Sequence, residues 1–264
     1  MSAWRRILVT TGWSGLGLIA IAVVMSEFLA RWPAGVERVG PILRAPSEQF
    51  PFGTDLLGRD ILSETLHGLS VTATQAVEAA VIAVLAGALM GFIVARLPRH
   101  LAGFVRWVVA SFAAIPPLLL AILIVALTAR GYFGLAAGLA AAPLAFVRGF
   151  DRAHRESFAS HAAYARATGI SASAMLNRDL TYEFRESLLP TLARALAAVA
   201  IILSTLSFLG FGSTPPHRDL GLMIAAAKTN YFSAWWTAAF PALALVVLIL
   251  LARLAAGLDE GERP

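Results

Sequence analysis

The chain contains no cysteine. Disulfides, thiolate metal sites and a cysteine nucleophile are therefore excluded. Lysine is nearly absent: Lys228 stands alone, and every other basic residue is an arginine. Only 14% of the 264 residues are charged, against about 25% in an ordinary soluble domain. There is no HExxH run to build a zinc-protease helix. What fills the chain instead is apolar: 58% of residues are hydrophobic, and the mean hydropathy is +0.74. A soluble domain of this length could not bury so much apolar surface. A disordered chain, a secreted disulfide scaffold and most cytosolic enzymes are excluded, and a helical integral membrane protein is indicated.

The net charge is +5. A basic excess can signal nucleic acid, but loop arginines that orient membrane helices explain it better. Uncharged runs cover Ile7–Ser26, Ala79–Ala95, Trp107–Ala129, Gly131–Val147, Ala195–His217 and Thr229–Ala252. Each reaches the lower limit for a membrane span, about 17 residues, so six transmembrane helices are predicted. The fourth is the weakest, because Gly134, Gly138 and Pro143 interrupt it. Trp4, Arg5 and Arg6 resemble the charged start of a signal peptide. The run after them is longer than a typical signal core, and no small-x-small site follows before Glu27. An uncleaved first span is therefore expected. With the N-terminus in the cytoplasm, the inner segments hold twice as many basic residues as the outer ones. Both termini are predicted inside.

Two hydrophilic segments remain, Glu27–Ser70 outside and Arg148–Arg194 inside. The natural division is residues 1–69, a first helix with an outer segment, and 70–264, the remaining five helices with the inner segment. In the outer segment, Pro33, Pro41, Pro46 and Pro51 keep the chain extended or turning. Gly53 and Gly58 permit tight bends. From Arg59 the pattern becomes helical. Ile61, Leu62, Thr65, Leu66 and Leu69 share one face, while Arg59, Asp60, Ser63, Glu64 and His67 share the other. An amphipathic helix lying on the outer membrane surface is expected, with its charges solvated. In the inner segment, Phe150–Ala167 reads as a helix, Gly169 as its stop and Ser171 as the cap of a short second helix. That pattern suits either a solvated connector or a docking element.

Several span features stand out. Gly87 with Gly91, and Gly134 with Gly138, have the GxxxG spacing that lets helices approach closely. Pro116 and Pro117 bend or break the third span. Glu78 falls near the outer end of the second span, as a functional carboxylate or an interface residue.

The motifs carry a resemblance. Gly53-Thr54-Asp55, Gly58-Arg59-Asp60, Leu62-Ser63 and Gly68 resemble a signature of the dipeptide/oligopeptide/nickel permease family of ABC importers. Ile115–Ala121 resembles that family's proline-containing start of a pore helix. Leu206-Ser207-Phe208-Leu209-Gly210-Phe211-Gly212, with Pro215-Pro216, resembles its LSFLG segment, and Ser233–Trp236 with Phe240-Pro241 resembles its entry to the last span. The similarity runs from about Phe52 to Gly257 and fits the second, C-type, membrane subunit. Setting the glycine of the importer EAA motif on Gly169 places the triplet on Ala163, Tyr164 and Ala165, with Arg166 at a common arginine position. Tyr182 stands where the motif has proline, so the motif is degenerate here. The chain also departs from the family around Arg96–Arg106, where relatives often carry Gly-Gly and acids and this chain has Pro98, Arg99, Ala102 and Ala110, and at Leu220, where a tryptophan is usual.

The resemblance implies an all-α type I ABC importer permease fold in the bacterial inner membrane. It implies half of a translocation pathway for peptides or a related small solute, with nickel or a metal chelate possible. Ala163, Ala165, Arg166, Gly169 and Ser171 would form the coupling helix against an ATPase. Pro116, Pro117, Ser207, Phe208 and Gly210 would be pathway positions. ATP and Mg would bind two cytoplasmic ATPase subunits and not this chain, which would hold no cofactor, metal or catalytic residue. The remaining partners would be a homologous permease subunit and a periplasmic or lipid-anchored binding protein, with no nucleic acid. Two alternatives compete. Gly12-Trp13-Ser14-Gly15 matches the GxSG of an intramembrane serine protease, but none of His67, His100, His154, His161 and His217 lies well inside a span. A secondary transporter would need charged midspan residues and inverted repeats, which the spans do not offer.

Overall fold

The computed structural model describes residues 3–128, 132–146, 188–213 and 218–257. The positions assigned to ATPase coupling (Ala163, Ala165, Arg166, Gly169 and Ser171) lie outside these residues, as do Pro215 and Pro216. The described residues form helices and loops, with one isolated bridge between Thr54 and Asp60. The helices are α1 (Ala3–Val24), α2 (Ser26–Leu29), α3 (Ile61–Arg96), α4 (Arg99–Ala114), α5 (Pro117–Leu127), α6 (Phe133–Ala145), α7 (Leu189–Phe208), α8 (Leu220–Ala226) and α9 (Trp236–Ala256).

Among the described residues four helices are long and apolar enough to cross a bilayer: α1, α3, α7 and α9. The bent pair α4–α5 gives a fifth if it counts as one span. The fourth apolar run yields only the 13 residues of α6, about 20 Å of helix against a hydrocarbon core of about 30 Å.

Close approaches fix the helix directions. A Cβ on Gly12 would lie 2.1 Å from the Ala255 backbone nitrogen, and one on Gly15 would strike Leu251. Helices α1 and α9 are therefore antiparallel. Gly138 of α6 abuts Ala79 and Ile82 of α3, and Gly87 of α3 abuts Ala142, Ala145 and Phe146. Both contacts advance together, so α3 and α6 run parallel. Ala193 at the start of α7 clusters with Ala255 and Ala256. One end of the bundle thus gathers the start of α1, the start of α7 and the end of α9. The other, the motif end, gathers the start of α3 and the end of α7.

The core is built from small residues. Ala76, Ala79, Ala80 and Ala83 of α3 pack with Ala136, Ala137, Ala140 and Ala141 of α6 in one buried cluster. In lipid, close backbone approach and dispersion replace the hydrophobic drive between helices. Gly87 and Gly138, one from each GxxxG pair, make close approaches in this seam, while a Cβ on Gly134 would meet nothing within 4 Å.

The expected break in the third run is present. α4 and α5 meet at 91°. Ile115 and Pro116 each precede a proline and are extended, with ψ of 132° and 124°, as the ring of a following proline demands. Replacing Pro116 and Pro117 together by alanine restores two N–H donors and removes that restriction. The two helices should then straighten, lengthening the distance between spin labels on cysteines placed at Leu101 and Leu123. An unchanged distance would assign the bend to packing alone.

Candidate functional site

The sequence motif Gly53–Asp60 folds into a compact cap at the start of α3. Thr54 is fully buried. Its backbone N–H donates to Arg44 O at 2.9 Å, and its hydroxyl accepts from Arg44 N and donates to Pro41 O. Asp55 Oδ1 accepts from the backbone N–H groups of Leu57 (2.8 Å) and Arg59 (2.9 Å), closing a tight Asx turn. Gly53 and Gly58 have φ of +74° and +68°, a region favoured by glycine. A Cβ on Gly53 would stand 2.6 Å from Arg44 O and 2.7 Å from Trp236 Nε1. Trp236 Nε1 itself donates to Thr54 O at 3.2 Å, so the first turn of α9 is bolted to the motif. Asp60 caps α3: its Oδ2 accepts from Ser63 N at 3.0 Å and Ser63 Oγ at 2.7 Å.

The structure corrects the surface-helix expectation. Helix α3 is continuous for 36 residues from Ile61, and its polar N-terminal face is buried, not solvated. Asp60, Ser63 and Glu64 are at most 4% exposed. The covering strand of chain is residues 32–35. Ser63 Oγ accepts from Trp32 N (3.2 Å), Glu64 Oε1 from Gly35 N (2.7 Å), and His67 Nε2 donates to Trp32 O (3.1 Å). These side chains satisfy backbone groups of an irregular segment that has no ladder of its own. Arg59 reaches Glu37 at the half-exposed rim, where an ion pair contributes little.

A second polar cluster lies beside the first. Beyond the end of α7 the chain turns at Gly210, with φ +89°, and doubles back over Ser207: a Cβ on Gly212 would overlap its hydroxyl. Asp219 is 2% exposed. Its Oδ2 accepts from Ser207 Oγ (2.7 Å) and Ser213 N (3.2 Å), and its Oδ1 caps α8 through Leu222 N (2.9 Å). Thr72 Oγ1 accepts from Leu220 N at 3.0 Å, and Gln75 Nε2 donates to Ser213 Oγ at 3.1 Å. The segment is thus pinned to α3. Lys228 Nζ sits 3.5 Å from the centre of the Phe208 ring.

Arg218 joins the two clusters. Its Nη1 lies 3.5 Å from Asp55 Oδ2 and 3.8 Å from Glu64 Oε2, all three side chains being largely buried. Of the positions singled out in the sequence, Gly53, Thr54, Asp55, Gly58, Arg59 and Asp60 therefore meet Ser207, Phe208 and Gly210 at the motif end. Pro116 and Pro117 stand apart at the α4–α5 bend, with no hydrogen bond to this group among the described residues. Asp219, Arg218, Thr72 and Gln75 were not anticipated. Asp219 did leave a signal: an aspartate directly before the apolar run Leu220–Ala226 is an N-cap pattern.

Apolar crossing helices and a polar cap at one end define a multi-pass integral membrane protein. No family model matches the chain. Similarity to known proteins supplies the class. The chain is 28% identical to a Brucella suis protein provisionally named a peptide transport system permease, over 88% of this chain and 79% of that one. It is 26% identical to the di/tripeptide transport system permease protein DppC of Pseudomonas aeruginosa, covering 94% and 86%. It is 29% identical to the peptide transport system permease protein SapC of Haemophilus influenzae, covering 89% and 83%. These relatives are transport permeases, not enzymes, in agreement with the family resemblance read from the motifs.

Proposed function

We propose that this chain is the C-type permease subunit of an ABC importer that carries peptides across the bacterial inner membrane. The observation that carries the reading is the length of the similarity: two curated peptide permeases match 94% and 89% of the chain. The geometry supports it. The start of α1 and the end of α9 lie at one end of the bundle, which an even number of crossings gives, and the arginine bias favours the cytoplasm for that end. The motif end then faces the binding protein that delivers cargo, and its rigid, hydrogen-bonded cap suits docking without rearrangement. A second permease subunit completes the pathway. Each permease seats one ATPase on its inner segment, here around Ala163, Ala165, Arg166, Gly169 and Ser171. ATP and Mg act in those ATPases, and their closure moves the permeases between inward-open and outward-open states.

Purification of the tagged chain from its native host should bring down ATPase subunits, a second permease and a binding protein. Recovery without any ATPase would overturn the importer reading in favour of a secondary transporter. Proteoliposomes holding the complex should take up di- and tripeptides in an ATP-dependent way, and uptake of nickel alone would overturn the peptide cargo. Cysteines introduced at Ala165 and Ser171 are the only thiols in this chain and should crosslink to the ATPase. An active complex that yields no crosslink would place the coupling contact elsewhere.

A further inference from the structure

Helix α1 ends at Val24 after 22 residues, about 33 Å of helix against a hydrocarbon core of about 30 Å. The chain that follows it therefore lies at the membrane boundary of the motif end. Among the described residues of α1 only Gly12 is buried, and Leu18, Ile21 and Val24 are well exposed. The first span thus runs along the lipid-facing periphery. The turn α2 continues this division. Met25, Phe28 and Leu29 are exposed, while Ser26, Glu27, Ala30 and Arg31 line a polar cavity of about 560 Å³. Apolar side chains on one side and polar ones on the other place this turn in the headgroup layer.

Helix α3 supplies another wall of the cavity, through Glu64, His67, Ser70 and Val71, and Arg218 also lines it. Arg218 Nη1 lies 3.8 Å from Glu64 and 3.5 Å from Asp55, so these three charges hold one another. Glu27 and Arg31 are left over. Among the described residues Glu27 has no hydrogen-bond or ion-pair partner, and Arg31 makes one bond, from Nη1 to Gln49 O at 3.3 Å. They stand four residues apart, yet they form no ion pair with each other. The backbone is already extended at Ala30, with ψ of 127°, so the helical geometry that pairs such residues is lost. The Ser70 hydroxyl also has no partner among the described residues, and His67 bonds only through Nε2, to Trp32 O. An unpaired cation and an unpaired carboxylate therefore line one polar cavity at headgroup depth.

We infer that this cavity binds the headgroup of a phospholipid that carries a phosphodiester and a primary ammonium, as phosphatidylethanolamine does. Arg31 supplies charge-assisted donors to the phosphate oxygens, and Glu27 accepts from the ammonium. A purely anionic headgroup would leave Glu27 unpaired beside a like charge. A trimethylated ammonium has no N–H to donate to it. The inference requires that α1 crosses the membrane and does not depend on the cargo being a peptide. The two charged ends of a peptide offer the same pair of charges, but the peripheral position of α1 favours a lipid.

Ala34 lines the same cavity and is exposed, and Ala34→Cys gives this chain its only thiol. The test uses the whole complex in detergent, with cysteine-free partner subunits and stripped of lipid. A polar thiol reagent should modify the cysteine. Short-chain phosphatidylethanolamine should slow the modification at concentrations about tenfold or more below those needed of the matching phosphatidylcholine or phosphatidylglycerol, the scale of one hydrogen bond to a charged group. Glu27→Gln should erase the preference for ethanolamine over choline with the melting temperature unchanged, and Arg31→Gln should weaken protection by all three lipids. Equal protection by the three lipids, or by none, would overturn the proposal. So would a Glu27→Gln complex that keeps the ethanolamine preference, or a lipid-stripped complex in which the cysteine does not react, since the cavity would then be closed. Protection by a tripeptide instead of lipid would overturn it and assign the cavity to cargo. The lipid series with Glu27 and Arg31 in place decides the matter even where a variant fails to assemble.

Discussion

Replacing Gly58 by valine should abolish uptake and lower the melting temperature of the purified complex. Gly58 has φ +68°, where a β-branched residue pays about 1–2 kcal/mol in steric conflict. Its new Cβ would stand 2.5 Å from Gly40 O, so the two loop strands must part. The bonds at stake are Gly58 N–H to Asp55 O, and Val39 and Gly40 N–H to Gly58 O, all 3.0–3.1 Å. Each contributes about 0.5–1.5 kcal/mol, which brings the expected loss to about 3–6 kcal/mol. That is enough to unfold the cap, since whole domains are stable by only about 5–15 kcal/mol. Gly17→Ala is the control. Gly17 is exposed in α1 and a Cβ there meets nothing within 4 Å, so alanine should be neutral or slightly stabilising. The outcomes to measure are ATP-dependent peptide uptake, thermal unfolding in detergent and protease cleavage between Arg38 and Gly58. A Gly58→Val complex that melts like wild type would mean that the cap tolerates another turn.

The parts of this cap that could be read from the sequence are those with a local cause. The tight turns at Gly53 and Gly58 each need a particular residue type at one place, so they mark the chain, whereas Asp60, read as part of the helix, is in fact its cap. The α4–α5 bend is legible for the same reason, because Pro116 and Pro117 act on their immediate neighbours. Burial of the polar face of α3 was not legible. Its partners, Trp32 and Gly35, lie about 30 residues upstream in a stretch without periodicity, so the amphipathic pattern looked like a surface helix. The alanine-rich seam is visible as composition, but composition does not say that Gly138 meets Ala79 and Gly134 meets nothing. The sequence places Glu78 directly before the uncharged run Ala79–Ala95, at the outer end of its span. Only the packing of α6, α7 and α8 around α3 shows which way it faces.

Asp219→Ala should be the most damaging change in the second cluster. It strips the acceptor from Ser207 Oγ, Ser213 N and Leu222 N at once. Losing the α8 cap costs about 0.5–2 kcal/mol, and each buried donor left unpaired costs about 1–3 kcal/mol. A total loss near 3–5 kcal/mol is expected, since the loop can relax and recover part of it. Asp219→Asn keeps one acceptor oxygen for Leu222, and the Ser207 hydroxyl can rotate to accept from the new amide. Its cost should be less than half that of alanine. Ser207→Ala alone should be milder, because Asp219 Oδ2 keeps its bond from Ser213. The decisive measurement is the double-mutant cycle read by thermal unfolding. In the Asp219→Ala background the Ser207 hydroxyl is already orphaned, so removing it should cost little or give stability back. Strict additivity of the two changes would mean that the 2.7 Å contact is incidental, and that α8 is held against α3 by Thr72 and apolar packing instead.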